Sequence, residues 1–357
     1  MRAVVAMSGG VDSSVAALLL RRRGLEVIGL SMRLWDGRAD AGGSGCCGVD
    51  DIGDARRVAS RLDIPFYAVN FKNEFERVAV RPFVSEYLAG RTPSPCIVCN
   101  ERLKFDLLQR RARELGADVF ATGHYARVCR NGTRFELRRA KDHRRDQSYF
   151  LFTLDQARLN RAEFPLSEMT KDEVRAIAAR EGLPVAVKPD SQETCFVPPG
   201  GYAAFVASQA PGDFSGEIVD TSGKTLGQHK GYFRYTIGQR RGTGLAFGSP
   251  RYVTAIDAAR RIVTIGGNDD LLSTALVADG ASWVAGSPPV IGAPCTVRIR
   301  STHRGVPARV FPSAKGFRVE FESPVRAVAP GQAAVLYDGD RVLGGGWIRE
   351  AAAAGRR

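Results

Sequence analysis

Ser8-Gly9-Gly10-Val11-Asp12-Ser13-Ser14 has the residue types to hold a polyphosphate. It follows an apolar run and opens a helix-like pattern. A helix N-terminus presents unpaired N–H groups at the positive end of the macrodipole and so takes up anions. Gly9 and Gly10 let the backbone turn tightly with no Cβ in the way. Ser8, Ser13 and Ser14 add hydroxyls, and Asp12 is a candidate ligand for a Mg²⁺ that neutralises the phosphates. The loop lacks the lysine and spacing of a Walker A loop, which disfavours a kinase or motor. A plain Ser/Gly turn is the bland reading, opposed by the strand-loop-helix setting. The second constellation is sulfur. Thr92-Pro93-Ser94-Pro95-Cys96-Ile97-Val98-Cys99-Asn100 holds a Cys-x-x-Cys pair, and Asp190-Ser191-Gln192-Glu193-Thr194-Cys195-Phe196 a third thiol. Such thiols suit redox, zinc or iron–sulfur chemistry, or pack as small hydrophobes. Pro93 and Pro95, just ahead of Cys96, predict an irregular surface segment, which opposes packing. Zinc wants four ligands, and the adjacent Cys46 and Cys47 are poorly placed to complete a site.

The elements that must position these groups are legible as alternating patterns. Residues 3–7, 26–32, 64–71 and 119–122 read as continuously apolar strands. Residues 14–23, 54–62 and 105–115 read as helices, and Thr170-Lys171-Asp172-Glu173 is a capping box opening another through 180. This alternation predicts an α/β fold with a Rossmann-like parallel sheet covered on both faces. Pro198-Pro199-Gly200-Gly201 reads as a linker, and from about residue 269 short strands and the Asp338-Gly339 turn predict a β-barrel. The expected division is 1–198, 199–268 and 269–357. The 357 residues carry a formal net charge of +13, which favours a polyanionic partner, although arginine excess also arises without one. No apolar run is long enough to span a membrane. Seven cysteines without a secretory segment read as reactive thiols or ligands in a cytoplasmic protein rather than as a disulfide framework.

Residues 8–14 in this setting have the form of the pyrophosphate loop (PP-loop) of enzymes that split ATP into AMP and pyrophosphate. Amide ligation, amidine formation and sulfur transfer all begin there, by adenylating a carbonyl oxygen. Over nearly its whole length the chain resembles the bacterial tRNA-specific 2-thiouridylases, which thiolate the wobble uridine. Beside the loop and the cysteine segments, the resemblance rests on Gly29-Leu30-Ser31-Met32, on residues 121–127 and 146–151, on Tyr235-Thr236-Ile237-Gly238-Gln239-Arg240, and on Pro330-Gly331-Gln332.

The resemblance implies a PP-loop topology with a small central domain and a C-terminal barrel. It implies that ATP is held by Ala6, Met7, Ser8, Gly9, Gly10, Val11, Asp12, Ser13, Ser14, Met32 and Gly123, with Mg²⁺ at Asp12. Cys195 then carries a persulfide delivered by a sulfur relay protein, and Cys99 is the nucleophile that resolves it. Cys96 stands where several relatives carry an aspartate, which weakens an acid–base role and leaves an auxiliary thiol. Cys96, Cys99 and Cys195 also match an iron–sulfur cluster with one open iron; the persulfide route is preferred. Ser94, Pro95 and Cys96 would receive the extruded base. His124, Arg145, Asp146, Gln147, Arg300, Ser301 and Gln332 would contact tRNA. Tyr232-Phe233-Arg234-Tyr235 mixes aromatics with cations, as base stacking requires, or is a half-buried strand. An adenylating enzyme of small molecules and a non-catalytic RNA-binding protein are the competing readings. The first would not need Cys99 or Cys195; the second would not need an intact loop.

Overall fold

The computed structural model describes residues 1–35, 48–190 and 194–353. Cys46 and Cys47, and Ser191, Gln192 and Glu193 before Cys195, lie outside the described residues. In chain order the first part holds β1 (Arg2–Ala6), α1 (Val11–Arg22), β2 (Glu26–Arg33), α2 (Val49–Arg61), β3 (Phe66–Asn70), α3 (Lys72–Phe75), α4 (Arg81–Leu88), α5 (Pro95–Val98) and α6 (Gln109–Glu114). It continues with β4 (Val119–Thr122), β5 (Ala126–Asn131), β6 (Arg134–Arg139), α7 (Gln156–Leu159), β7 (Ala162–Glu163) and α8 (Lys171–Arg180). A central part holds α9 (Gly201–Gln209), β8 (Gly216–Asp220), β9 (Thr225–His229), β10 (Tyr252–Asp257) and β11 (Ile262–Gly266). The last part is β12 (Leu272–Trp283), β13 (Ala293–Arg298), β14 (Val306–Pro312), β15 (Gly316–Arg326), β16 (Ala333–Asp338) and β17 (Arg341–Ala353).

Strands β3-β2-β1-β4-β7 pair in that order, all parallel, as the continuous apolar runs predict. The order reverses between β1 and β4, so the crevice beyond their C-terminal ends is the switch point at which such sheets bind ligands. Helix α1 has no wide polar stripe because it is buried nearly all round, with Val15, Ala16, Ala17 and Leu20 wholly inside. It packs on both α2 and α8, which makes it a rigid footing for the loop ahead of it. The β8–β11 strands form a separate sheet in the order β10-β11-β8-β9.

The barrel closes through β12-β15-β14-β13-β16-β17 and back to β12. Strand β17 also meets β6, at Arg341 and Arg138, so the β5–β6 hairpin of the first part joins the barrel wall. Every residue from Ala333 to Tyr337 of β16 is buried. One face lines the barrel; on the other, the Tyr149 hydroxyl donates to the Ala333 carbonyl at 3.0 Å.

Several local expectations differ from the structure. The cysteine segment is not irregular: Pro95 starts α5, where a missing N–H is harmless, and the helix runs on from Cys99 to Leu108 in π-type turns. Residues 148–151 form a 3₁₀ turn. Tyr232, Phe233 and Tyr235 are buried, with the Tyr232 hydroxyl donating to the Leu88 carbonyl, so they are core rather than a stacking platform. Residues 351–353 pair with β12.

Candidate active site

The loop after β1 folds onto itself before it can hold anything else. Gly10 is the N-cap of α1 and offers no side chain. Its carbonyl accepts from the Ser13 hydroxyl at 3.2 Å and the Ser14 hydroxyl at 2.8 Å, while Ser13 Oγ accepts from the Ser8 N–H. Gly9 has φ +72° and lies so close to α2 that a Cβ would fall 2.1 Å from the Asp51 carbonyl oxygen. Gly123, just after β4, lies against the start of α1, where a Cβ would be 2.6 Å from the Ser13 nitrogen. The two glycines therefore bring three segments together around the helix N-terminus. The result is a cavity of about 250 Å³ at the switch point.

Its walls include Ala6, Met7, Ser8, Gly10, Val11 and Asp12. Ser13, Met32 and Gly123 also line it, so the residues expected around a nucleotide converge. Gly9 shapes the turn from behind, and Ser14 is wholly buried with its hydroxyl spent on Gly10. His124, Arg145 and Gln147, expected on the RNA side, line the same cavity. Asp146 does not: its carboxylate is 2% exposed and pairs at 2.8 Å with Arg298 of the barrel, whose side chain is 10% exposed. Arg298 also donates to the carbonyls of His303 and Ser301, so the turn carrying Arg300 and Ser301 is tied to residues 145–147. Asp146 is thus a joint between parts of the molecule rather than a surface contact.

Sequence reasoning missed a set of charged side chains at the cavity floor. Lys171, at the first turn of α8, is 6% exposed. Its ammonium lies 2.7 and 2.8 Å from the two Asp12 oxygens and 2.7 Å from Asp190. The Tyr125 hydroxyl donates to Asp12 at 2.9 Å. Lys188 reaches Asp51 at 2.6 Å, Asp54 at 2.5 Å and the Gly9 carbonyl at 3.2 Å, bracing the loop from beneath. Burial pushes the Asp190 carboxyl up, but Lys171, Arg145 and Arg175 outweigh it and hold it below the usual carboxylate range. A lysine in the first turn opposes the helix dipole, and that local conflict was the available signal.

These groups fit a nucleotide triphosphate: a helix N-terminus, a glycine cradle with no room for a Cβ, and two lysines. Asp12, Asp51 and Asp190 line the cavity; Asp51 is held by Lys188 and Asp190 by Lys171, and Asp12, beside Lys171, suits a Mg²⁺ that takes most of its ligands from phosphates and water. Among the described residues no group of three or more His, Cys, Asp or Glu is gathered to hold a metal by itself.

His124 is buried between Thr122 Oγ1, 2.7 Å from Nδ1, and the Lys104 ammonium, 3.5 Å from Nε2. An ammonium only donates, so Nε2 accepts and the proton resides on Nδ1, facing Thr122. Burial, with Lys104 adding to it, holds the imidazole pKa well below its ordinary 6.5. As pH falls below about 6.5 the unfolded chain takes up this proton and the folded chain does not, so stability declines by at most about 1.4 kcal/mol per pH unit. His124→Gln should flatten that part of the denaturation profile between pH 6.5 and 5.5, measured by urea titration; an unchanged slope would place the titration elsewhere.

Cys96, Cys99 and Cys195 do not line this cavity, although Lys104 and Leu108 of the helix that follows Cys99, and Asp190 ahead of Cys195, do. Cys96 is exposed on α5, and Cys99 is half-buried at the start of the π-type turns. Ile97 between them is wholly buried, and the Asn100 amide donates to the Phe150 carbonyl. Cys195 is half-buried in a tight turn closed by the Val197 N–H on the Thr194 carbonyl. Phe196 beside it packs edge-on against Phe75, Phe83 and Phe205. Cys99 and Cys195 pack against one hydrophobic cluster. Of the cations near them in sequence, Arg91 pairs with Glu86, Arg102 with Glu101 and Lys188 with Asp51 and Asp54. Cys129 lies on β5, and Cys295 is buried on β13, where burial pushes its thiol up to about 11. Gln332 lies on the barrel with its amide on the Thr92 and Pro93 carbonyls.

Residues 1–199 match the tRNA methyl transferase HUP domain family, 203–267 its PRC-barrel domain, and 273–348 the aminomethyltransferase beta-barrel domain. The chain is 52% identical to the tRNA-specific 2-thiouridylase MnmA of Geobacter metallireducens, covering 99% of this chain and 98% of that one. It is 49% identical to the protein of that name from Solibacter usitatus, over 96% and 98%. Among solved structures, a 4-thiouridine synthetase in complex with RNA and bound ATP aligns over 55% of this chain and 44% of its own, with 19% identity and a TM-score of 0.35. No helix among the described residues is long and apolar enough to cross a membrane.

Proposed function

The chain belongs to the tRNA-specific 2-thiouridylase family, and from that premise we propose that it uses ATP to replace the C2 oxygen of the tRNA wobble uridine by sulfur. The observation that carries this reading is one cavity lined both by the residues 8–13 loop and by His124, Arg145 and Gln147. An adenylating pocket for a small molecule would have no need of the cysteine segments packed beside it.

In the proposed reaction the loop and α1 hold the phosphates, with Lys171 and Lys188 supplying positive charge. Met32 and Gly123 lie at the adenosine end. Bound Mg²⁺ would be held at Asp12 and would spread the phosphate charge. The uridine C2 oxygen attacks the α-phosphorus and the bond to pyrophosphate breaks. A persulfide on Cys195, delivered by a sulfur relay protein, attacks C2 through its outer sulfur, and AMP leaves with the oxygen. The Cys99 thiolate then attacks Sγ of Cys195. The S–S bond to the outer sulfur breaks, the new sulfur stays on C2, and a Cys99–Cys195 disulfide remains for an external thiol to reduce. Residues 94–96 would receive the extruded base beside Cys99. Cys96 is an auxiliary thiol, and Arg300 and Ser301 extend the RNA path onto the barrel. We assign catalysis to residues 1–198, linkage to 199–268 and RNA contact to 269–357, acting in the cytoplasm on the tRNAs for Lys, Glu and Gln.

The test is digestion and mass analysis of tRNA after incubation with enzyme, ATP, Mg²⁺ and a persulfide or sulfide source. One wobble uridine should exchange oxygen for sulfur, only with ATP. Cleavage of ATP with no sulfur on the RNA would move the small-molecule adenylating reading to the front.

A further inference from the structure

The turn between β15 and β16 is built to hold something other than itself. Gly331 has φ +88°, and a Cβ there would lie 2.9 Å from the Thr92 nitrogen and 3.0 Å from the Thr92 oxygen, so the turn is pressed into the segment that leads to Cys96 and Cys99. Around this contact the hydrogen bonds run both ways. The Thr92 N–H donates to the Pro330 carbonyl at 2.8 Å, and the Gln332 amide donates to the Thr92 carbonyl at 2.9 Å and the Pro93 carbonyl at 3.3 Å. The turn is itself fixed on the barrel wall: Gly331 N–H donates to the Ile348 carbonyl, and Ile348 N–H to the Gln332 carbonyl.

On the flank of the same segment lies a cavity of about 410 Å³, walled by Pro93, Ser94, Pro95 and Val98 on one side and Trp347 and Ile348 on the other. Packing on that flank is therefore incomplete, and these hydrogen bonds set the height of the segment. Both N–H groups of the Gln332 amide are engaged, which leaves its oxygen alone for any RNA contact.

We infer that Gln332 is a positioning residue for the segment that leads into the helix carrying Cys96 and Cys99, so that the barrel fixes the cysteine end of the site before RNA arrives. The consequence for catalysis rests on the thiolation reading; the positioning does not. The test uses the full chain without RNA. Gln332→Met and Gln332→Glu keep the side-chain length and remove both amide donors. Each variant is treated with N-ethylmaleimide, and the modification rate of every cysteine is read by peptide mass spectrometry. Cys99 should change its rate by at least about threefold, the scale of one or two lost hydrogen bonds. Cys129 should not change, and buried Cys295 should stay protected in both variants. In the thiolation assay kcat should fall while the KM for tRNA barely moves. Unchanged Cys99 reactivity overturns the inference, and with weakened RNA affinity it would leave Gln332 as an RNA contact alone. Exposure of Cys295 in both variants also overturns it, because the residue would then serve the barrel's fold. Failure of wild-type protein to thiolate RNA would leave the alkylation result standing and strike only the functional reading.

Discussion

Lys171→Met should lower stability by about 3 kcal/mol and nucleotide affinity by at least about tenfold. Lys171 is 6% exposed, and its ammonium contacts both oxygens of Asp12 and one of Asp190. Removing one partner of a buried pair is costly because the other charge is left without compensation. Among the described residues Asp190 keeps Arg145 and Arg175, but Asp12 keeps only the Tyr125 hydroxyl, so the penalty falls on Asp12. Lys171→Met with Asp12→Asn should therefore recover part of the stability and none of the nucleotide affinity. Denaturant titration and calorimetric titration with a non-hydrolysable ATP analogue separate the two effects. A Lys171→Met protein of wild-type stability would mean that solvent already satisfies Asp12. The acid limb has a defined sign as well. The Asp190 pKa is below 3.8 in the folded chain. Its contribution is therefore intact above the unfolded value and is lost as pH falls below about 4.

What the sequence disclosed and what it hid divide along a physical line. The parallel sheet was legible because residues 3–7, 27–30 and 119–121 are apolar runs, as strands covered on two faces require. The tight turn from β1 into α1 was legible because Gly9 and Gly10 stand between an apolar run and a helix-like pattern. Lys171, Lys188 and Asp190 were not, because a charged residue looks the same in sequence whether it is solvated or locked in a network closed by residues far along the chain. Asp146 failed for the same reason: its partner Arg298 lies on β13. Strand β12 holds Ala275, Ala278 and Ala281, which supply little β-propensity; its pairing with both β15 and β17 overrides that. The helix through Cys99 was missed because Pro95 reads as a breaker, although at the first helical position it is favourable.

The two cysteine variants should fail at different bonds. Cys195→Ala removes the sulfur carrier, and sulfur incorporation should drop by at least about 10³-fold while AMP still forms on the RNA. Cys99→Ala leaves the carrier intact. Its outer sulfur still reaches C2 and AMP still leaves, but nothing attacks Sγ of Cys195. The chain should then remain joined to tRNA through Cys195 by a disulfide. That adduct should survive denaturing gel electrophoresis and release thiolated tRNA on treatment with dithiothreitol. The placement of both thiols supports this division. Cys99 is held by Ile97 and Asn100 on one helix, and Cys195 by Phe196 among Phe75, Phe83 and Phe205, so each keeps its anchor when the other is removed. An adduct in Cys99→Ala and none in Cys195→Ala would establish the order of the steps. Full thiolation by Cys195→Ala with inorganic sulfide would instead mean that sulfur reaches C2 without a persulfide on the chain, and Cys195 would lose its proposed role.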